Sequence, residues 1–142
     1  MKTDVLPIRL GDFWILVRAE IVSEFLSSTA WLSVPGSTPL MPGVMTWRGR
    51  AIPVLDLPRA LNIGAIAPLD MCSRVMIVEH AVGAVAVPVD GAREVTTLSN
   101  TEIRAPHVST TPYTVGEVDG PDAMLPLIEI DQLLRDVGKG SA

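Results

Sequence analysis

Apolar residues along the chain come in short runs broken by turn residues roughly every ten positions, the rhythm of an all-β sandwich or barrel rather than of a helical protein. Strands are predicted at Leu6–Leu10, Phe13–Ala19, Val22–Leu26, Gly43–Arg48, Arg50–Leu55, Arg74–Glu79, Ala84–Val89, Arg93–Leu98, Tyr113–Asp119 and Met124–Ile130. Gly11-Asp12, Gly49, Asp90-Gly91 and Gly120-Pro121-Asp122 supply turn chemistry between them. Two short helices are expected. Asp56 is placed to cap one running to about Asn62, with Pro58 in its first turn and Gly64 beyond it; Asp131 is placed to cap another, running to Val137 with Gly138 beyond. The uncharged stretch from Phe25 to Trp47 holds Pro35, Pro39, Pro42, Gly36 and Gly43, so it is predicted as a loop with buried edges rather than a membrane span.

A weak internal repeat underlies this pattern. Ile52-Pro53-Val54-Leu55-Asp56 matches Leu125-Pro126-Leu127-Ile128-Glu129, which sets Pro53 on Pro126, 73 positions apart. Ser23-Glu24-Phe25 similarly overlies Arg93-Glu94-Val95 at a spacing of 70. Two related halves of about 70 residues are implied, each a small barrel. Such a barrel has a marginal core alone, so the halves are expected to share apolar surface and leave a cleft at their junction.

Composition narrows the function. With 142 residues, 48% of them hydrophobic and 19% charged, residues 1–142 are expected to form one folded domain. Eleven Lys and Arg against sixteen Asp and Glu give a net charge of −5, which provides no cationic field for nucleic acid or anionic lipid. The N-terminal residues lack the apolar stretch of roughly 7–15 residues that marks a signal peptide, so a cytoplasmic protein without direct membrane insertion is expected. A single Cys72 and two histidines, His80 and His107, argue against disulfides and a zinc cage; no metal and no cofactor are expected.

Phosphate-loop, dinucleotide, zinc-protease and nucleophile-elbow spacings are absent. Cys72 near His80 suits a small hydrophobe better than a thiolate pair. Asp56, Asp90 and Asp131 follow apolar runs where helix caps and turn formers are common. What stands out is Gly43-Val44-Met45-Thr46-Trp47-Arg48-Gly49-Arg50-Ala51-Ile52-Pro53-Val54-Leu55-Asp56-Leu57. It reads as a strand, a tight turn at Gly49 that presents Arg48 to solvent, and a second strand leading into a capped helix.

This stretch closely resembles the signature of the chemotaxis coupling protein (CheW) family. The resemblance extends from about Val5 to Val137: Leu10-Gly11-Asp12 resembles the family's first turn, Val22-Ser23-Glu24-Phe25 its V-x-E-I strand, and Val89-Asp90-Gly91-Ala92-Arg93-Glu94-Val95 its V-D-x-V-x-x-V strand. Ile103-Arg104-Ala105-Pro106 and Leu127-Ile128-Glu129-Ile130-Asp131-Gln132-Leu133-Leu134 complete the ordered series. The family's fold implies two small five-stranded SH3-like barrels packed around a shared hydrophobic core, with one or two short helices. Its members are adaptors rather than enzymes, joining chemoreceptor cytoplasmic tips to the regulatory domain of a histidine kinase.

The resemblance implies site residues as well. Arg48 would reach the receptor hairpin, with Gly49 fixing the turn, Val75 lining the groove between barrels, and Trp47 serving either as core or as an extra contact. Val22 and Glu24 would form the kinase side, as an apolar anchor beside an orienting carboxylate. Plain alternatives are a solvated turn arginine and a β-strand whose residues only pack. Thr46-Trp47-Arg48-Gly49 departs from the family's usual N-L-R-G, so receptor choice is expected to differ. Other functions compatible with the sequence are a receptor-binding scaffold without kinase coupling and, in another class, a small-ligand-binding barrel or an unrecognised hydrolase.

Overall fold

The computed structural model describes residues 1–27, 31–34, 37–66, 74–80, 83–106, 111–121 and 123–138. Cys72 and His107 lie outside them, as does Asp122 of the expected third turn. Among the described residues the chain runs β1 (Lys2–Leu10), β2 (Phe13–Arg18), a 3-10 turn (Ala19–Ile21), β3 (Val22–Ser27), β4 (Leu32–Ser33), β5 (Gly43–Trp47), β6 (Arg50–Val54) and α1 (Leu57–Ala60). It continues as β7 (Arg74–His80), β8 (Gly83–Val89), β9 (Gly91–Ala92), β10 (Thr96–Ser99), β11 (Thr114–Asp119), β12 (Met124–Ile128) and α2 (Ile130–Gly138).

The strands form two sheets. One follows the order β10-β1-β2-β12-β11, with the two-residue β9 paired to β1; the other follows β3-β7-β8-β6-β5, with the two-residue β4 added at the β5 edge. The two five-strand paths are equivalent under the internal repeat, and each contains one parallel pair: β2 with β12 and β6 with β8. The halves do not, however, each build their own sheet. The first hairpin of the N-terminal half, β1–β2, sits in the sheet completed by β10–β12, while the matching hairpin of the second half, β7–β8, sits in the sheet of β3–β6. The two five-stranded units stand as expected; the expectation that each is drawn from one half of the chain is corrected to this exchange.

Burial explains why the exchange holds. Leu6, Ile8, Leu10, Ile15 and Val17 of the first hairpin meet Met76, Val78, Val85, Val87 and Val89 of the second in one cluster between the sheets. Leu55, Leu57 and Leu61 around α1, and Ile130, Leu133 and Leu134 of α2, close it. The opposite faces of these hairpins fill two smaller clusters. Val5 and Leu16 join Leu98, Val118 and Leu127; Val75, Ile77, Ala84 and Ala86 join Met45, Trp47, Ile52 and Val54. Strands buried on both faces read as nearly continuous apolar runs, as Val75–Val78 and Ala84–Val89 do.

Helix starts follow the core as much as the caps. Asp56 caps α1 as expected, accepting from the Arg59 amide at 3.1 Å and also from the Ile66 amide at 3.0 Å, which satisfies a carboxylate that is almost fully buried. Asn62, at φ 59°, ends that helix in the left-handed conformation. Asp131 does not cap α2. Ile130 enters the shared core and starts the helix two residues earlier than an Asp131 cap would, leaving Asp131 in the first turn, 3.3 Å from His80 Nε2 and 3.2 Å from Arg135.

The long uncharged segment contains one strand, β4, that its Pro and Gly content conceals. Gly43 is what lets β4 close on β5, since a Cβ there would collide with the Leu32 carbonyl and the Trp31 ring.

At the other end, Tyr113 donates to Asp136 Oδ2 at 2.9 Å; burial, then the Asp136 hydrogen bond and charge, push its phenol above the ordinary value. A raised folded-state pKa contributes stability below the ordinary phenol value, and that contribution is lost as pH rises through the folded pKa. Urea unfolding is expected to show a steeper stability loss above about pH 10 for the native chain than for Tyr113→Phe. Parallel pH profiles would remove the assignment.

Candidate functional site

The β5–β6 hairpin is built by alternation. Met45, Trp47, Ile52 and Val54 point inward while Thr46 and Ala51 face out; Arg50 pairs with Trp47 and shares its face, but lies exposed at the hairpin's end. Arg48 (φ 49°) and Gly49 (φ 75°) link them, both at the positive φ that a two-residue type I′ turn requires. Gly49 adopts this at no steric cost. Arg48 does so against a penalty on the order of 1 kcal/mol, so contacts of its side chain must hold it there.

Those contacts come from two directions. Beneath it, the Trp47 ring is 3% exposed, and the Arg48 guanidinium carbon lies 4.7 Å from the ring centroid. Beside it, Arg48 Nη2 lies 3.2 Å from Glu24 Oε1, and the Trp47 indole N–H donates to the same oxygen at 2.7 Å. Glu24 therefore answers the hydrogen-bond demand of a buried indole and part of an exposed cation at once.

Glu24 reaches this point through a break in β3. Val22 pairs with Val78 and Glu24 with Ile77, so the register slips by one between them. In an unbroken strand residues 22 and 24 share a face. Here Val22 packs on the cluster between the sheets, whereas Glu24 turns to Trp47.

Placement of the expected site residues follows. Trp47, Arg48, Gly49 and Glu24 come together at one hairpin tip. Trp47, left open as core or contact, is core. Val75 pairs with Leu26 and Pro88 and is 1% exposed within the Trp47 cluster, so it underlies the tip and lines no open groove. Val22 stands apart. Two separable faces, one of Val22 with Glu24 and one of Arg48 with Trp47, are not what the fold presents: Glu24 belongs to the hairpin tip. The signal that could have found this was the indole itself, because a buried Trp N–H needs an acceptor. A cleft of about 590 Å³ lies elsewhere, lined by Phe13, Trp14, Ile63, Arg93, Met124 and Leu125 among others, and none of the expected site residues borders it.

Among the described residues no three His, Cys, Asp or Glu side chains are grouped to hold a metal ion, and no helix is long and apolar enough to cross a membrane.

The two-sheet architecture is shared with the crystal structure of the scaffolding protein TtCheW from Thermoanaerobacter tengcongensis, at a TM-score of 0.78 and 24% identity over 91% of this chain and 90% of that one. That likeness defines the fold. The CheW-like domain model matches residues 4–138, and the chain belongs to this family. No curated protein matches the sequence.

Proposed function

We propose that the protein is a non-enzymatic chemosensory adaptor that couples chemoreceptor cytoplasmic tips to the regulatory domain of a CheA-type histidine kinase, in the cytoplasm and within receptor arrays. The observation that carries this reading is the family match over residues 4–138, nearly the whole chain. The name of the similar structure, a scaffolding protein, agrees with it. In this reading Arg48 is the receptor contact. Its side chain is 65% exposed, while Glu24, Trp47 and the Gly49 turn hold its guanidinium in place, with Val75 supporting the ring from below. Only part of the planar fork is used inside the protein, which leaves donors for a receptor carboxylate or for carbonyls at a helix end. Val22 on β3 is the kinase-side anchor, with Glu24 beside it in sequence and shared with the receptor tip in space.

A pull-down with purified receptor-tip hairpin and kinase regulatory domain, each alone, tests the coupling. Capture of both supports it, and capture of receptor alone selects a scaffold without kinase coupling. Arg48→Ala is expected to lower stability by no more than about 1 kcal/mol, to leave the fold and kinase binding intact, and to weaken receptor-tip binding about tenfold, equivalent to about 1.4 kcal/mol. A titration showing less than a twofold loss returns Arg48 to the role of a solvated turn residue.

A further inference from the structure

Arg50 was not among the expected site residues, yet it shares the same platform as Arg48. It pairs with Trp47 across the hairpin, is exposed, and its guanidinium carbon lies 5.7 Å from the Trp47 ring centroid. Among the described residues it has no acidic partner, whereas Arg48 is half-answered by Glu24. One buried indole thus seats two guanidinium groups against a single carboxylate, which leaves a local positive excess on a protein of net charge −5. Both cations are oriented before any partner arrives, which reduces the ordering cost of binding.

From this geometry we infer that Arg50 is a second partner-binding cation, and that the hairpin tip recognises two carboxylates carried about one turn apart on a partner helix. The inference rests on the reading of this tip as the receptor contact. Two groups held within reach of one ring lie no more than about 10 Å apart. Acidic side chains spaced three or four residues on a helix fall about 5–6 Å apart at Cβ, and each can meet one guanidinium. An aliphatic residue at position 47 would have no ring face to seat either cation, so Trp47 sets the two-carboxylate preference.

The test uses the full chain and the tip hairpin of a chemoreceptor from the same genome, titrated in about 50 mM and about 500 mM NaCl, where screening separates charge contacts from packing. Arg50→Ala is expected to weaken binding about fivefold at low salt and about twofold or less at high salt. Arg50→Gln, which keeps a polar stem over the ring, is expected to behave the same way; full affinity in Arg50→Gln would assign the loss to ring shielding and overturn the inference. Unchanged affinity in both Arg50 variants, with Arg48→Ala still weakening binding, would overturn the second-cation role and leave the receptor reading in place. If neither arginine matters, the receptor reading falls with it.

Discussion

Replacing Ile8 with Ala is expected to destabilise the whole protein by about 3–4 kcal/mol in a single cooperative transition. Ile8 is fully buried on β1, in the cluster that lies between the two sheets and is closed by α1 and α2. Truncation removes three carbons from a site walled by strands of both sheets, where neither wall can collapse inward without breaking ladder pairing. The cavity therefore persists, and the loss is expected in the middle of the usual Ile→Ala range rather than at its lower end. The shape of the transition carries the second part of the prediction. Were each half of the chain its own barrel, a defect in the first half would unfold that half first. With the β1–β2 and β7–β8 hairpins exchanged, neither sheet is complete without the other half of the chain. Calorimetry and urea denaturation followed by fluorescence and far-ultraviolet circular dichroism should thus give coincident midpoints for Ile8→Ala, shifted down together. Separate midpoints would contradict the interlocked core, and a loss below about 1 kcal/mol would contradict its packing.

That interlock was only half legible in the sequence. Of the exchanged strands, β7 and β8 announce themselves as apolar runs because both their faces are buried, and the ten-residue rhythm located all ten longer strands. The repeat was visible through Pro53 and Pro126, which hold matching places in β6 and β12. Which hairpin completes which sheet was not visible, since β1–β2 and β7–β8 present similar apolar faces and the choice is made by contacts some 70 residues away. Two-residue strands such as β4 and β9 lack a periodic signal of any kind, and β4 depends on a glycine across the ladder at position 43. Asp131 shows how a local rule yields to packing: an acidic residue before an apolar run is a fair cap, but burial of Ile130 moved the helix start. At the hairpin tip, the turn and its exposed arginine were legible from Trp47-Arg48-Gly49-Arg50. Glu24 was not, because one bulged residue in β3 reverses the face on which it lies, and bulges leave no reliable trace in a single sequence.

Glu24→Lys is expected to lower stability by about 2–3 kcal/mol and to weaken receptor-tip binding at least tenfold. The substitution removes the acceptor of the indole N–H of Trp47, a residue that is almost fully buried. An unpaired buried donor costs about 1–3 kcal/mol, and the acceptor lost here is charged. The new ammonium would also stand where a carboxylate met Arg48, with Arg50 on the same ring. Repulsion would drive the guanidinium off the indole and deprive the left-handed turn residue of the contacts that hold it. Val22→Met, by contrast, changes a half-buried side chain on the other face of β3 and should shift the melting temperature little. Charge reversal at Glu24 is therefore a poor probe of kinase binding alone, since any loss there is accompanied by lower stability and by loss of the receptor contact. Glu24→Gln separates the effects: its amide oxygen can still accept from the indole, so most of the stability should return while the pull on Arg48 is gone. Thermal denaturation and receptor-tip titration of the three variants read this directly, with the Trp47 indole proton resonance as a third, local report. An unshifted indole resonance and a melting temperature within about 1 °C of the native chain for Glu24→Lys would show that Glu24 does not hold the tip together.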